Sequence, residues 1–319
     1  MQKFILTLGP SLGEQIKVSE IHQDNFIYRI NGAHGTKNYI SQMIKKLRDL
    51  IPDAQILMDL PGNKIRTAIK GDGVELKKDC IFKLRRENFN FEGFLDIAKV
   101  GDEVFANDSV FRFEIVKNTG DEIEFLSYSD GILTNGKGMH IRGINQKLPF
   151  LFKRDLELID LAHEFRLNYI GASFVRNEND FLELRNKLSE YIEIFCKVET
   201  LSAVENLVEI LKHVNYILID RGDLSTEIGL VKIPRFQRYI IEQAHLRGVR
   251  VFLATQALKN MESKPVPTIA EIESLYNIFK SGVFGLQLSE ETAVGLWIKE
   301  CISILNNMSK EVESEKILL

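Results

Sequence analysis

Eight short apolar runs, most of them separated by amphipathic segments, constrain the fold of this chain more than any other feature. Each run is rich in Ile, Val, Leu and Phe and is bounded by polar or glycine residues, which is typical of buried parallel strands. The runs are Phe4–Leu8, Phe26–Ile30, Gln55–Met58, Tyr169–Ala172, Ile192–Cys196, Tyr216–Ile219, Arg250–Ala254 and Phe284–Leu288. Because strands that alternate with helices form a parallel sheet, eight such units predict an α/β fold, the (β/α)8 TIM barrel.

Helical periodicity fills four of the intervals between these runs. In the first of them, Leu158 and Leu161 fall at helical spacing. The predicted helices are Arg154–Phe165, Leu201–Lys212, Arg235–Arg247 and Ile298–Val312. They supply the outer layer that a parallel barrel needs.

One interval, from about Ala68 to Lys147, breaks the alternation. Gly and Asp mark its turns, and short β-rich segments lie between them, which is typical of a small all-β unit. These segments are Val74–Leu76, Ile81–Leu84, Glu103–Ala106, Val110–Val116 and Glu122–Ser127. Without this interval roughly 240 residues remain, close to the size of a TIM barrel. We therefore predict a catalytic barrel domain formed by residues 1–67 and 148–319, with an inserted β-barrel lid domain at 68–147, after the third strand.

Composition excludes several classes of protein. The 41 Lys and Arg residues against 45 Asp and Glu give a net charge of −4, and no long basic run predicts a nucleic-acid surface. No apolar stretch approaches the roughly 20 residues that span a bilayer. The apolar part of the first ten residues is too short for a signal-peptide core, so we expect a cytoplasmic protein. The three cysteines are too far apart in sequence to predict a disulfide framework or a Cys-based metal site.

Polar side chains cluster where the predicted barrel strands end. In a (β/α)8 barrel the active site lies at these carboxyl ends of the strands. The residues found there are Gly9 and Pro10; Arg29, Asn31 and His34; Asp59, Lys64 and Arg66; Ser173 and Arg176; Lys197 and Glu199; Asp220 and Asp223; Thr255 and Gln256; and Ser289 and Glu291. We therefore predict an active site at this end of the barrel.

Glu199 and Asp223 are the candidate ligands of a divalent cation. They follow consecutive strands, and because neighbouring strands lie about 4.8 Å apart, both carboxylates can share one hard cation such as Mg²⁺. Lys197 lies two residues before Glu199 on the same face of the strand, where an ammonium suits an anionic transition state. The alternatives are that each carboxylate caps a helix and that Lys197 only forms a salt bridge with Glu199.

Cationic residues predict an anion site at the same end of the barrel. Arg29 and Arg66 end the second and third strands, and guanidinium groups bind phosphate in a bidentate manner; the alternative for each is a surface ion pair. His34 lies among glycines that let a ligand approach the backbone, or else is a structural histidine. Lys137 lies between two glycines in the β insert, where a lid could bring it onto a phosphate, or else lies in a solvated turn. Thr255 is either a helix cap or a proton relay.

Taken together, these motifs resemble those of the pyruvate kinase family. Arg29–Thr36, for example, resembles the family's Arg-Leu-Asn-Phe-Ser-His-Gly-Thr block. The resemblance covers essentially the whole chain, in family order and at near-family spacing. The segments that carry it are Thr7–Ser11, Arg29–Thr36, Met58–Thr67, Gly136–Gly143, Ala172–Arg176, Lys197–Glu199, Arg221–Leu224, Ala254–Gln256, Lys264–Thr268 and Leu288–Ala293.

The resemblance implies a kinase that transfers a phosphoryl group between phosphoenolpyruvate, or a substituted enolpyruvate analogue, and ADP or ATP, with Mg²⁺ or Mn²⁺. Lys197 would stabilise the transferring group and the enolate oxygen, Thr255 would lie at the carbon that gains the proton, and N–H groups near Gly222 would bind the substrate carboxylate. By motif position the metal ligands would be Glu199 and Asp223; the catalytic residues Lys197, Thr255, Arg29 and Arg66; the substrate-binding residues Gly222, Asp223, Ser173 and Asp220; and the nucleotide-binding residues Asn31, His34, Tyr39, Lys137 and Ser289.

The chain departs from the family pattern at the monovalent-cation site. Ala33, Leu60 and Lys64 replace the family's Ser, Thr and Glu there, and potassium-independent members resemble this chain at the last two positions. A tethered ammonium can supply the positive charge of K⁺. We therefore expect Lys64, with Asp59, to act as the monovalent-cation substitute and K⁺ not to be required.

Other departures concern the substrate. Asp220 replaces a small Ala beside the enolate pocket, Ile269 replaces an Arg near the subunit contact, and Glu290 replaces a Gly. These changes favour a specialised homologue acting on a related substrate, for instance in a biosynthetic pathway. The family's further C-terminal domain, which hosts allosteric control, does not follow the barrel, so we expect that regulation to be missing.

Three classes of function stay open at this point. The first is the kinase, and the second is a metal-dependent lyase or aldolase that holds a pyruvate enolate on the same barrel. The third is a non-catalytic binding protein. The expected partners are small-molecule substrates and neither nucleic acid nor membrane, with a homo-oligomer left open. The physiological substrate, direction and pathway do not follow from the sequence.

Overall fold

The structure is a computed structural model, and it describes residues 2–14, 17–107 and 110–318. The strands of this part are β1 (Lys3–Thr7), β2 (Phe26–Asn31), β3 (Gln55–Asp59), β4 (Val74–Leu76), β5 (Ile81–Arg85), β6 (Glu103–Ala106), β7 (Phe111–Asn118), β8 (Glu122–Ser127), β9 (Gly131–Leu133), β10 (Met139–His140), β11 (Tyr169–Ala172), β12 (Glu193–Val198), β13 (Tyr216–Asp220), β14 (Arg250–Ala254) and β15 (Gly285–Leu288). The helices are α1 (Lys37–Leu50), α2 (Phe94–Ile97), α3 (Lys153–Glu164), α4 (Glu178–Arg185), α5 (Leu201–Glu205), α6 (Leu207–Ile210), α7 (Arg221–Ile228), α8 (Ile233–His245), α9 (Ile269–Lys280), α10 (Glu290–Ala293) and α11 (Ile298–Leu318).

Eight parallel strands form a closed barrel in the order β1-β15-β14-β13-β12-β11-β3-β2. Each predicted apolar run coincides with one of these strands to within two residues, so the (β/α)8 prediction is confirmed. Both faces of the strands are buried, because side chains inside the barrel and side chains facing the helices alternate along each strand. This explains why the runs are apolar throughout rather than alternating.

The barrel interior is filled mainly by aromatic and branched side chains. Phe195 and Phe252 pack edge to face with their ring centroids 4.9 Å apart, and Ile5, Ile27 and Leu218 complete the layer around them. The barrel is therefore a packed core rather than a pore, and polar chemistry is confined to its two ends.

The predicted helix Leu201–Lys212 is wrong as a single element. The structure has two short helices there, α5 and α6, with a break at Asn206. The Asn206 amide donates to the carbonyl oxygens of Ser202 and Arg176. A side chain that bonds to nearby carbonyls competes with helix hydrogen bonding, which is why Asn favours helix ends.

The β insert lies between β3 and α3. It holds a five-stranded antiparallel sheet in the order β10-β6-β7-β8-β5 and a two-stranded pair, β4 and β9. Its core is separate from that of the barrel, and Phe82, Phe113 and Phe125 stack within it. We refer to this element, from Val74 to His140, as the β-unit.

No helix in the described part of the chain combines the length and the apolar character needed to cross a membrane.

Candidate active site

A polar cavity of about 310 Å³ opens at the carboxyl ends of the barrel strands, where the β-unit meets the barrel. All but two of the residues to which the family motifs assign a role line it. Those that do are Arg29, Asn31, His34, Asp59, Lys64, Arg66, Lys137, Ser173, Lys197, Asp220, Gly222, Asp223, Thr255 and Ser289. The two that do not are Glu199, which is completely buried, and Tyr39, which lines neighbouring cavities.

Lys197 is the central cation of the site. Its ammonium nitrogen lies 2.8 Å from Glu199 Oε1 and 3.3 Å from Asp59 Oδ2, and it donates to Ser173 Oγ at 2.9 Å. Burial alone would lower the pKa of this ammonium, but the Asp59 and Glu199 carboxylates outweigh burial and raise it. Lys197 therefore keeps its positive charge and is suited to stabilising anions rather than to acting as a base.

Glu199 joins Lys197 to two further carboxylates. Its Oε2 accepts a hydrogen bond from the backbone N–H of Phe174 at 2.7 Å, and one oxygen each of Glu199, Asp220 and Asp223 lie within 4.8 Å of one another. Burial, reinforced by the neighbouring Asp223 and Asp220 charges, raises the pKa of Glu199 to about 7 despite the Lys197 ammonium. This cluster therefore carries negative charge that a cation would offset.

The alternative that Glu199 and Asp223 are helix caps is not supported by the cap positions. Thr200 caps α5 by accepting from the N–H of Ala203, and Asp220 caps α7. Glu199 therefore lies one residue before the cap of α5 and Asp223 lies in the first turn of α7, so neither carboxylate is the capping residue. The other alternative, a Lys197–Glu199 salt bridge, is present in the structure.

Lys64 contacts the carboxylate cluster through Asp223. Its ammonium lies 2.5 Å from Asp223 Oδ1 and 5.9 Å from the centre of the Phe174 ring. Burial would raise the pKa of Asp223, but the Lys64 charge outweighs burial and holds that pKa below its usual range. Asp223 is therefore ionised and already neutralised in part by the chain itself.

Arg29 and Asp59 form a buried pair beside Lys197. Arg29 donates through Nε and Nη2 to Asp59 Oδ2, at 2.8 and 2.6 Å, and through Nη1 to Thr7 Oγ1 at 3.0 Å. The pair arises from strand register, since β1, β2 and β3 are adjacent and parallel. Burial would raise the pKa of Asp59, but Lys197 and Arg29 outweigh it and lower it. Asp59, predicted as a partner of Lys64, thus contacts Arg29 and Lys197.

The first turn of α7 meets the end of β14 at the cavity wall. Asp220 Oδ1 accepts from the N–H groups of Gly222 and Asp223, at 3.1 and 3.4 Å, and lies 3.3 Å from Thr255 Oγ1. Thr255 Oγ1 also accepts from the Gly222 N–H at 2.9 Å. Thr255 has φ +66°, a strained conformation for a β-branched residue, and such strain clusters at functional sites. Arg221 donates to the Thr255 carbonyl and so helps to hold this turn.

The β-unit and the loop that follows β3 contribute Lys137 and Arg66, respectively, to the cavity. Lys137 lies in the turn between β9 and β10 and lines the cavity. Arg66 pairs with Gly138 in an isolated antiparallel bridge and donates from Nη1 to the Gly136 carbonyl at 3.1 Å. Burial first, and then the positive charges of Arg66 and Arg29, lower the pKa of His34. His34 is therefore a neutral hydrogen-bonding group in a cationic environment.

Two contacts hold the end of the β-unit and the residues just after it against α7, the helix that carries Asp223. His140 Nε2 lies 3.1 Å from Glu227 Oε1, and Arg142 Nε donates to the Thr226 carbonyl at 3.3 Å. Sequence analysis missed this pairing, because nothing local in either segment points to the other.

Tyr39 and Ser289 border a second cavity of about 390 Å³ beside the first. The two cavities share Arg29, Asn31, His34, Ser289 and Glu290, and Gly9 and Pro10 lie on the far wall. Tyr39 is 42% exposed, with its hydroxyl 3.4 Å from Glu14 Oε1. This cavity is more apolar than the first, so the pair could accept a ligand with a charged part and a flat apolar part.

Thr7 and Phe174 are site residues that sequence analysis missed. Thr7 ends β1 and binds Arg29, so the rule that polar residues at strand ends form the site could have found it. Phe174 acts through its backbone N–H, held at φ +56°, and no side-chain pattern reports such a role.

Comparison with known proteins gives one family. The family model for the barrel domain of pyruvate kinase matches residues 1–302. The chain is 30% identical to the pyruvate kinase of Thermotoga maritima, over 98% of this chain and 71% of that protein. It is 31% identical to the pyruvate kinase of Thermococcus litoralis, over 98% of this chain and 69% of that protein. For the pyruvate kinase of Staphylococcus aureus the identity is 30%, over 98% of this chain and 57% of that protein.

Proposed function

Because this chain belongs to the pyruvate kinase family, we propose that it is a Mg²⁺-dependent phosphotransferase that moves a phosphoryl group between an enolpyruvate-type substrate and ADP or ATP. The observation that carries the proposal is the position of Lys197, which lies 2.8 Å from the buried Glu199 of the carboxylate cluster and lines a cavity rich in Arg and Lys. Phosphoryl transfer depends mainly on positioning and charge neutralisation, and this arrangement supplies both.

The donor set fits a hard divalent cation. Glu199 and Asp223 offer carboxylate oxygens, the ligands that Mg²⁺ and Mn²⁺ prefer, and they lie close enough to share one ion. Burial first, and then the neighbouring Asp223 and Asp220 charges, raise the pKa of Glu199, and a bound divalent ion would favour its ionised form. When bound, the ion would supply Lewis-acid stabilisation of oxygen anions in the substrate.

The cations of the chain then have separate tasks. Lys197, fixed by Ser173 and Asp59, stabilises the enolate oxygen and the phosphoryl group in transit. Arg29, itself fixed by Asp59, binds a phosphate at the barrel side. Arg66 and Lys137 bind phosphates from the β-unit side, and the β-unit acts as a lid that excludes water from the cavity. We propose that the lid domain extends over residues 68–147 and so includes the β-unit.

Thr255 is proposed to lie at the carbon that gains the proton. Its hydroxyl is held at the cavity wall by Gly222 and Asp220, and the strained backbone keeps it there. The nucleotide is proposed to bind across both cavities, with its phosphates near Lys137 and Asn31 and its base near Tyr39, since the second cavity is the more apolar of the two.

The departures from the family pattern concern the monovalent cation and the substrate. Lys64, by pairing with Asp223, provides a fixed positive charge where K⁺ would act, so K⁺ is not required. The changes at Asp220, Ile269 and Glu290 support a specialised homologue that acts on a relative of phosphoenolpyruvate.

A lyase or aldolase on the same barrel is the second candidate, and one observation favours it. Asp220 adds a third carboxylate to the cluster, and these carboxylates would hold a divalent ion whose charge could stabilise an enolate in a lyase or aldolase as well as in a kinase. The cationic lid favours the kinase, because an aldolase has no need of a nucleotide-phosphate site.

The test is a coupled assay with ADP and phosphoenolpyruvate, run beside a panel of 2-oxo acids with ATP, each with and without Mg²⁺. Mg²⁺-dependent phosphoryl transfer with any member of the panel supports the proposal. Calorimetric titration with ATP separates the candidates, since a lyase, an aldolase or an enolate-binding protein without a nucleotide site would give no heat. Absence of both transfer and nucleotide binding would contradict the proposal.

A further inference from the structure

The anion-binding position at the start of α7 is already occupied by a side chain of the chain itself. The N–H groups of Gly222 and Asp223 both point at one oxygen of Asp220, and the Thr255 hydroxyl lies 3.3 Å from the same oxygen. Free N–H groups at a helix N-terminus are the natural receptor for an anionic group of a ligand. Here they receive an internal carboxylate instead.

This contact lies in the cavity wall and not in an ordinary surface cap. Asp220, Gly222 and Thr255 all line the cavity that holds Lys197 and Arg29, and Asp220 is only 7% exposed. A substrate that reaches Lys197 therefore passes within reach of the Asp220 carboxylate. A second carboxylate placed there would meet a like charge at short range and would find its hydrogen-bond donors taken.

Asp220 also belongs to the cluster proposed to hold the divalent ion. One of its oxygens lies within 4.8 Å of ligand atoms from both Glu199 and Asp223. A substrate that brings its own carboxylate to such an ion would compete with Asp220 for the same space. The chain thus already provides the group that a carboxylate-bearing substrate would otherwise bring.

We propose that Asp220 determines substrate specificity by excluding a substrate carboxylate from the start of α7 and by favouring a substrate that presents a hydrogen-bond donor there. The inference rests on the proposed function. The substrate class is a phosphorylated or enolisable compound that carries a hydroxyl or an ammonium beside the reacting carbon, where phosphoenolpyruvate carries its carboxylate.

The first experiment measures exclusion by calorimetric titration of the full chain with oxalate in Mg²⁺. Oxalate carries two coplanar carboxylates, as enolpyruvate carries a carboxylate beside an enolate. Asp220→Ala removes the internal carboxylate and opens the pocket, so oxalate should bind at least tenfold more tightly than to the wild type. Asp220→Asn keeps a capping oxygen without the charge, and its affinity should exceed that of the wild type as well.

Asp220→Ala also removes the cap of α7, and Thr268→Ala is the control for that effect. It removes the cap of α9 and should leave oxalate affinity unchanged. Asp220→Asn retains the cap, so it tests exclusion even if Asp220→Ala unfolds. If Asp220→Ala or Asp220→Asn binds oxalate more tightly than the wild type does, exclusion by Asp220 is supported. If neither variant binds oxalate more tightly than the wild type, the proposal is overturned.

The second experiment tests the substrate class with phosphoethanolamine, which places an ammonium two carbons from its phosphate ester oxygen. The wild type should bind it at least tenfold more tightly than Asp220→Ala does, because the Asp220 carboxylate accepts from the ammonium. Equal affinity for the two proteins would overturn the assigned class.

These measurements also separate this inference from the proposed function, because binding needs no turnover. If no variant transfers phosphate yet Asp220→Ala gains oxalate affinity, the specificity role stands and the kinase proposal fails. If the wild type turns over phosphoenolpyruvate and Asp220→Ala gains neither oxalate affinity nor a lower KM, the kinase proposal stands and the specificity role fails.

Discussion

The Lys64 ammonium lies 2.5 Å from Asp223 Oδ1, so a cation fixed to the chain contacts one of the two carboxylates proposed to hold the divalent ion. Lys64 comes from the loop after β3 and Asp223 from the first turn of α7. The pair therefore ties the loop from which the β-unit emerges to the proposed metal site. It also predicts how the protein responds to monovalent salts.

We expect kcat to change less than about twofold when Na⁺ is replaced by K⁺, because Lys64 already supplies the charge. Lys64→Gln removes the ammonium and leaves Asp223 more negative, so kcat should fall by at least about tenfold. Steady-state kinetics in matched Na⁺ and K⁺ buffers check both points. Lys70→Gln, at an exposed position of the same loop region, is the control and should behave as the wild type does. A several-fold rise in the wild-type kcat with K⁺ would refute the role of Lys64.

Lys197→Met should abolish phosphoryl transfer, with a fall in kcat of at least about 10³-fold, because the ammonium that stabilises the enolate and the phosphoryl group is lost. Mg²⁺ binding should survive, since Glu199 and Asp223 remain, and calorimetry measures it. Lys212 forms an exposed ion pair with Glu209. Lys212→Met therefore serves as the matched control, because it removes the same charge away from the site.

The Lys197 substitution also leaves Asp59 and Glu199 buried with one partner fewer, which costs about 3–5 kcal/mol of stability. Lys197→Arg keeps a cation there and should recover much of that stability, measured by urea denaturation. It should not recover kcat, because a planar guanidinium does not place its charge where the ammonium does. Turnover by folded Lys197→Met would show that Lys197 has another role.

The sequence predicted the barrel because its determinants are local. A run such as Tyr216–Ile219 is apolar on both faces wherever it lies, so eight runs identify eight strands. Clustering of Glu199 with Asp223 followed from topology, since all parallel strands end at the same rim. The contact between Asp220 and the Gly222 N–H did not follow, because residue type alone does not tell whether a carboxylate faces solvent, a metal or the helix start. Which of these groups a carboxylate faces depends on the orientation of its side chain, and the whole fold determines that orientation.

The pH dependence of stability should carry the signature of a buried carboxyl outside the carboxylate cluster, Asp155 in α3. It accepts from the N–H groups of Gly62 and Phe152, yet burial dominates and raises its pKa to about 6. A carboxyl whose folded pKa lies above its unfolded value loses its proton first in the unfolded chain. The free energy of unfolding should therefore fall as pH rises from about 4 to 6, by up to about 3 kcal/mol from this group.

Urea denaturation of the wild type and of Asp155→Asn at pH 4 and pH 7 measures that effect. The variant loses an acceptor for one N–H and so should be less stable overall, but its stability should change less between the two pH values. Asp160→Asn, on the exposed face of the same helix, should keep the wild-type pH dependence. An unchanged pH dependence in Asp155→Asn would contradict the raised pKa.

The contact between His140 and Glu227 should stabilise the closed position of the β-unit over the cavity. The two groups lie 3.1 Å apart and are largely buried, and together with Arg142 they join the β-unit to α7. Without that contact, closure over bound nucleotide is less favourable, so His140→Ala should raise the KM for nucleotide several-fold while kcat changes less.

A double-mutant cycle tests whether the two residues act as a pair. His140→Ala, Glu227→Ala and the double variant should raise KM by similar factors, because the contact is lost once in each case. Lys83→Ala removes an exposed ion pair on a β-unit strand and should leave KM unchanged. Limited proteolysis of the β-unit gives a second readout, since an open unit is cut faster and bound nucleotide should restore protection in the wild type more than in the variants. Fully additive effects on KM would mean that His140 and Glu227 act separately and that their proximity does not hold the β-unit closed.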